Sequence, residues 1–126
     1  MEKIDLNRRS QSTTLINNQV IQTSYTSASI RIEYYRNFVL YLDIVSAGQP
    51  TYLVFDVEFS DNNTDWFSMT DWYYDDLRYE DVATADGIKE VMTWRTIGRY
   101  VRLTATVTGG SSTDYFTVTA KMEFHN

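Results

Sequence analysis

The sequence predicts an all-β fold: an antiparallel β-sandwich, jelly-roll-like, of about seven or eight strands. Three observations carry this expectation. Apolar and polar residues alternate with period two through most of the chain, as they do when one face of a strand is dry and the other wet. Clusters of Gly, Pro, Asn, Asp and Ser interrupt the alternation at short intervals, where turns belong. No long stretch repeats at the helical period.

The elements follow in chain order. Residues 1 to 12 are polar, without a clear period, and read as an N-terminal arm. Residues 13 to 126 read as a single β-sandwich domain, and a total of 126 residues suits one domain. A weak strand is expected over Thr14 to Thr23. In Ser29 to Tyr35, Ile30, Ile32 and Tyr34 share one face opposite Arg31 and Glu33. Phe38, Leu40, Leu42 and Ile44 share a face in the next strand. Leu53, Phe55, Val57 and Phe59 do so in the one after, with Asp56 and Glu58 opposite. Weaker strands are expected at Trp66 to Met69 and Ile88 to Arg95. Val101, Leu103, Ala105 and Val107 then oppose Arg102, Thr104 and Thr106. Phe116, Val118, Ala120, Met122 and Phe124 close the chain's core pattern. The turns fall at Ala47-Gly48-Gln49-Pro50, Asp61-Asn62-Asn63, Ala85-Asp86-Gly87 and Thr108 to Ser112. A short helical turn is allowed within Asp71 to Asp81.

Composition narrows the function. The absence of cysteine removes disulfides, thiolate zinc sites and cysteine nucleophiles together. A net charge of −6 with scattered Lys and Arg argues against a nucleic-acid partner, whose phosphates would repel the molecule. No signal peptide is expected at the start, and the longest apolar-rich stretch, Phe38 to Val45, is too short to cross a bilayer, so no membrane partner is expected. Ten Tyr, six Phe and three Trp are many for this length, and Tyr and Trp suit both strands and interfaces.

No catalytic residue, metal ligand or cofactor is expected. His125 is the single histidine and stands next to the chain's last residue, a poor place for a triad. Asp61, Asn63 and Asp65 alternate like the first ligands of a calcium loop, but Trp66 takes the place where such a loop needs glycine, and no closing glutamate follows. A turn rich in Asx residues accounts for that segment without an ion. Carboxylates crowd Asp71 to Asp81, and a hydrolase built on Asp75 and Asp76 is the least favoured of three functional readings. Trp66 is expected to close the core near its turn. Among the other aromatics of this region, Trp72, Tyr73, Tyr74 and Tyr79, together with Arg8 and Arg9 of the arm, are the expected partner-binding residues.

Two segments resemble known families. Val57-Glu58-Phe59-Ser60-Asp61-Asn62-Asn63-Thr64-Asp65-Trp66, and later Gly98-Arg99-Tyr100-Val101-Arg102-Leu103 followed by a Gly/Ser turn and a closing strand, resemble discoidin-like (galactose-binding-like) β-sandwich modules. They also resemble small β-sandwich virion proteins of tailed phages, of the capsid decoration and head-fibre type. The resemblance covers residues 28 to 124. The phage side implies a virion structural protein made in the host cytoplasm and placed on the capsid surface. Its partner would be the major capsid protein or another virion protein, and its self-association, by analogy with three-fold shell positions, would be a homotrimer. The discoidin side implies a carbohydrate-binding module with a glycan partner. Extracellular modules of that type often carry a disulfide, which this chain lacks. In either case Tyr100 and Arg102 should face away from Val101 and Leu103, and Arg99 or Arg102 is available to pair with the acidic loop.

Overall fold

A computed structural model describes residues 10–69, 77–80 and 87–126. They form ten strands: β1 (Ser10–Ile21), β2 (Ser24–Thr26), β3 (Ile30–Arg31), β4 (Asn37–Ala47), β5 (Tyr52–Ser60), β6 (Phe67–Ser68), β7 (Arg78–Glu80), β8 (Ile88–Arg95), β9 (Tyr100–Thr108) and β10 (Tyr115–His125). All pairings are antiparallel. One sheet has the order β1-β10-β4-β8. The other is built on β9 and β5, with the short β2 and β3 along the free side of β9 and the short β6 and β7 along that of β5. The fold is the expected antiparallel sandwich. The strand count exceeds seven or eight because the margins of the second sheet are broken into pieces of two or three residues.

The core lies between the sheets and is supplied by the alternating positions. Phe38, Leu40, Leu42 and Ile44 of β4 are buried, as are Leu53, Phe55, Val57 and Phe59 of β5. Val101, Leu103, Ala105 and Val107 of β9 join them with Phe116, Val118, Ala120, Met122 and Phe124 of β10. Phe38 reaches across the sandwich to Phe59, ring centroids 6.1 Å apart, and lies beside Phe124 at 6.5 Å. Tyr100 and Arg102 face away from this core, as expected.

β1 begins at Ser10, already opposite His125, so three residues of the expected arm are strand. Its register with β10 shifts between Thr14 and Ile16 and again between Ile16 and Gln19, and Asn18 adopts a φ of 48°. These irregularities bury the neighbours Leu15 and Ile16 together, which strict alternation forbids, and explain the weak period of this segment.

The strand expected over Ser29 to Tyr35 is shorter. It ends at Arg31, and a turn closed by the Tyr35 N–H on the Ile32 carbonyl turns Tyr34 outward, 59% exposed, while Ile32 stays buried. Upstream, one extra residue separates β2 from β3 relative to β9: Thr26 opposes Thr104, but Ile30 opposes Val101. Ser27 fills this bulge. Its N–H donates to the Leu103 carbonyl, and its Oγ accepts the Leu103 N–H, each at 2.9 Å. Ser27→Ala strands a buried donor, so it should lower stability by about 1–3 kcal/mol, read as a fall in the urea midpoint at constant m-value.

Two turns at one end of the sandwich are locked by Asp114. Its carboxylate accepts the Gln49 N–H at 2.7 Å and the Ser111 hydroxyl at 2.9 Å. These bonds, the Gln49 amide above all, hold the Asp114 carboxyl below the ordinary value of 3.8. A group whose pKa is depressed by folding adds stability that is present above its unfolded pKa and fades as pH falls through the folded one. Asp114 should therefore titrate below 3.8 by carbon-detected NMR, and Asp114→Asn should flatten the acid side of the stability profile at pH values below that point.

Candidate functional site

Among the described residues, two surface regions collect side chains able to meet a partner. The first is an open depression of about 690 Å3 on the outside of the six-stranded sheet, lined by Glu58, Asp61, Asn62, Thr64, Asp65, Trp66, Phe67 and Arg102. The β5–β6 turn builds its rim. Asn62 is the hub of that turn: its side-chain oxygen accepts the N–H groups of Thr64 and Asp65 at 2.9 and 2.8 Å, and its amide donates to the Asp65 carboxylate at 2.7 Å. Ser60 Oγ accepts the Asn62 N–H. This is the Asx-rich turn the sequence predicts. Among the described residues no group of three His, Cys, Asp or Glu side chains converges.

Trp66 does not close the core. It is half-buried on the outer side, with the Arg102 guanidinium 4.2 Å over its ring, and Met69 takes the core position that the expectation gave to Trp66. The reason is the pairing that follows the turn. Ser68 opposes Glu58, an outward position, so Trp66, two residues before it, also points outward. Arg102 pairs with Glu58, its cross-strand neighbour, through Nε at 2.7 Å. Among the described residues the ion-pair partner of Arg102 is on the adjacent strand, and Arg99 lies 4.0 Å from Glu33; most of the acidic loop expected to pair with them lies outside the described residues.

The second region is the outer face of the four-stranded sheet at β4 and β8. An apolar hollow of about 420 Å3 is lined by Tyr41, Leu42, Asp43, Lys89, Val91, Thr119 and Lys121. Tyr41 is 41% and Val91 61% exposed, and they stand opposite each other in the β4–β8 ladder. Lys89 reaches Asp43 at 3.1 Å on the neighbouring rung. Sequence reasoning missed this region. The available signal was the apolar residues at the wet positions of two adjacent strands, Tyr41 and Val45 on one and Val91 on the other, which matter only once the strands are known to be neighbours.

Of the expected contact residues, Arg8, Arg9, Trp72, Tyr73 and Tyr74 lie outside the described residues, as do Asp75 and Asp76. Tyr79 is described and is a correction. It is buried, with its ring 5.9 Å from Phe55 in an edge-to-face contact, because β7 pairs it with the core residue Leu53. Residues 78–80 of the expected helical turn are likewise strand.

No protein-family model matches the chain, and no curated protein matches it in sequence. Its fold is similar to solved structures. The SPBc2 prophage-derived protein YomS superposes with a TM-score of 0.57 at 11% identity, over 99% of this chain and 100% of that one. The PBSX exported protein XepA gives 0.51 at 12% identity, over 98% of this chain and 39% of XepA. A structure of infectious bursal disease virus, Gx strain, gives 0.52 at 10% identity, over 94% of this chain and 32% of the viral one. The chain thus has the same sandwich as a whole prophage-derived protein and as parts of two larger ones. The discoidin-like side of the resemblance rests on the sequence motifs alone.

Proposed function

We propose that this protein is a phage virion structural protein that acts by protein–protein assembly, as capsid decoration or at the base of a head fibre. The observation that carries the reading is the whole-length likeness to YomS, a prophage-derived protein, with a viral structure among the other similar folds. The exposed apolar row of Tyr41 and Val91 supports it, since such surface on a small acidic domain is what association buries. The mechanism is cementing. The chain bridges neighbouring virion subunits, and each bound subunit favours the folded state by mass action. Arg8 and Arg9, with Trp72, Tyr73 and Tyr74, are the proposed contacts to the capsid protein. The test is immuno-electron microscopy of gradient-purified particles of the encoding phage. Labelled shells are the expected result, and particles free of the protein would sink the reading. Deleting residues 1–9 should lower the occupancy.

A second reading, a carbohydrate-binding module, is favoured by one observation: the depression beside Trp66 and Arg102 combines an aromatic ring with carboxylates and an amide, the residue types that hold sugars. A glycan array at high protein concentration decides it. Binding that disappears in Trp66→Ala supports the module, and a blank array removes it.

A further inference from the structure

The four strand margins of a sandwich are where it risks pairing with other chains, and most of them are blunted here. Along the six-stranded sheet, both margins consist of strands of two or three residues. The β1 margin of the other sheet carries two register breaks and a residue at positive φ. Short strands and bulges are the usual protections of an edge. β8 has neither. It runs eight residues, contains no proline, and pairs with β4 without a break from Ile88 opposite Ile44 to Arg95 opposite Asn37. Among the described residues no strand pairs its outer side.

We propose that β8 joins the β8 of a second copy in antiparallel fashion, with Val91 on the two-fold axis, so that two four-stranded sheets become one continuous sheet. This deepens the assembly reading above and rests on it. Face and charge select the register. Directly opposed residues of an antiparallel pair lie on the same face, so only registers that match outward with outward positions are allowed. With Val91 opposite Val91 of the second copy, residues 88–94 pair and Lys89 faces Thr93. Sliding two residues one way puts Lys89 against Arg95, a like-charge contact. Sliding two the other way pairs only residues 88–92 and sets Lys89 against Val91. The selected register also aligns Tyr41 and Val91 with their counterparts in one apolar row across the axis, which covers the most exposed aliphatic side chain of the sheet. Such an interface is self-complementary and closed: each copy spends its one long regular edge, and the bulged β1 edges do not continue the sheet. The unit is then a dimer, in place of the trimer expected by analogy.

The full-length protein tests this by light scattering over a range of concentrations and by single-cysteine cross-linking, which is clean because the chain has no cysteine of its own. Val91→Cys should form an intermolecular disulfide with oxidised glutathione as the electron acceptor, since opposed Cα atoms about 4.5–5.5 Å apart fall within disulfide reach. Lys89→Cys should not, because the two copies of residue 89 stand roughly 13 Å apart along the strand. Lys89→Cys/Thr93→Cys should. Val91→Lys and Val91→Glu should each weaken dimerisation by about tenfold or more, equivalent to about 1.4 kcal/mol, and an equimolar mixture of the two should dimerise again. Melting unchanged from that of the wild type, at concentrations low enough for the wild type to be monomeric, separates lost association from lost fold. A wild-type monomer or trimer, Lys89→Cys cross-linking as fast as Val91→Cys, or no recovery in the mixture overturns the pairing. A monomer that still labels the particles defeats the edge pairing and leaves the assembly reading standing; a dimer absent from particles does the reverse.

Discussion

Phe38→Ala should lower the unfolding free energy by about 3–5 kcal/mol, the range for emptying a buried aromatic site. Phe38 is fully buried on β4 and contacts Phe59 of the opposite sheet and Phe124 of its own. Alanine there removes the ring that ties the two layers together at one end and leaves a void that neither sheet can close without shifting backbone. Since a domain of this size has a total stability of roughly 5–15 kcal/mol, the variant stands near the threshold of folding. The expected readout is a fall in Tm of roughly 10–20 °C and a lower urea midpoint. Phe38→Leu, which keeps most of the volume, should lose much less. A Phe38→Ala loss below about 1 kcal/mol would mean that the layers do not depend on this contact.

Gly48→Ala should cost about 2–4 kcal/mol, far more than the methyl group would suggest. Gly48 sits in the β4–β5 turn at φ 68°, a conformation in which a β-carbon is strained. That carbon would also stand 2.3 Å from the Thr113 carbonyl oxygen and 2.3 Å from Asp114 Oδ1. The turn must then retreat from the β9–β10 loop, and the bond from the Gln49 N–H to Asp114 goes with it. Two measurements separate the causes. Urea unfolding gives the total cost, and the carboxyl shift of Asp114 reports the bond. In Gly48→Ala the Asp114 pKa should rise toward its ordinary value; a large stability loss with an unmoved pKa would assign the cost to backbone strain alone. Both variants act on the sandwich itself, and neither touches Val91 or the depression at Trp66, so their effects on association should follow only from the unfolded fraction.

The amino-acid sequence by itself determined the sandwich and its dry face. Period two in β4, β5, β9 and β10 names the core residues Phe38, Phe55, Leu103 and Phe116 without reference to any partner strand, because a side chain's face depends only on its place along its own strand. The Asx turn at Ser60 to Asp65 was equally legible, since its bonds run between residues two or three apart. What depends on distant pairing was not. Trp66 reads as a core residue until the register of β6 against β5 turns it toward Arg102. Tyr79 reads as a contact residue until β7 sets it against Leu53. The strand at Ser29 to Tyr35 reads as whole until the turn closed on the Ile32 carbonyl ends it at Arg31. The association surface belongs to this second group most of all. Tyr41 and Val91 lie fifty residues apart in sequence and become one apolar row only because β4 and β8 are neighbours, and β8 stands, among the described residues, at the edge of its sheet only because of the strand order around it. Local alternation is a property of the chain, but an edge is a property of the sheet, and only the tertiary structure decided which strand would have one.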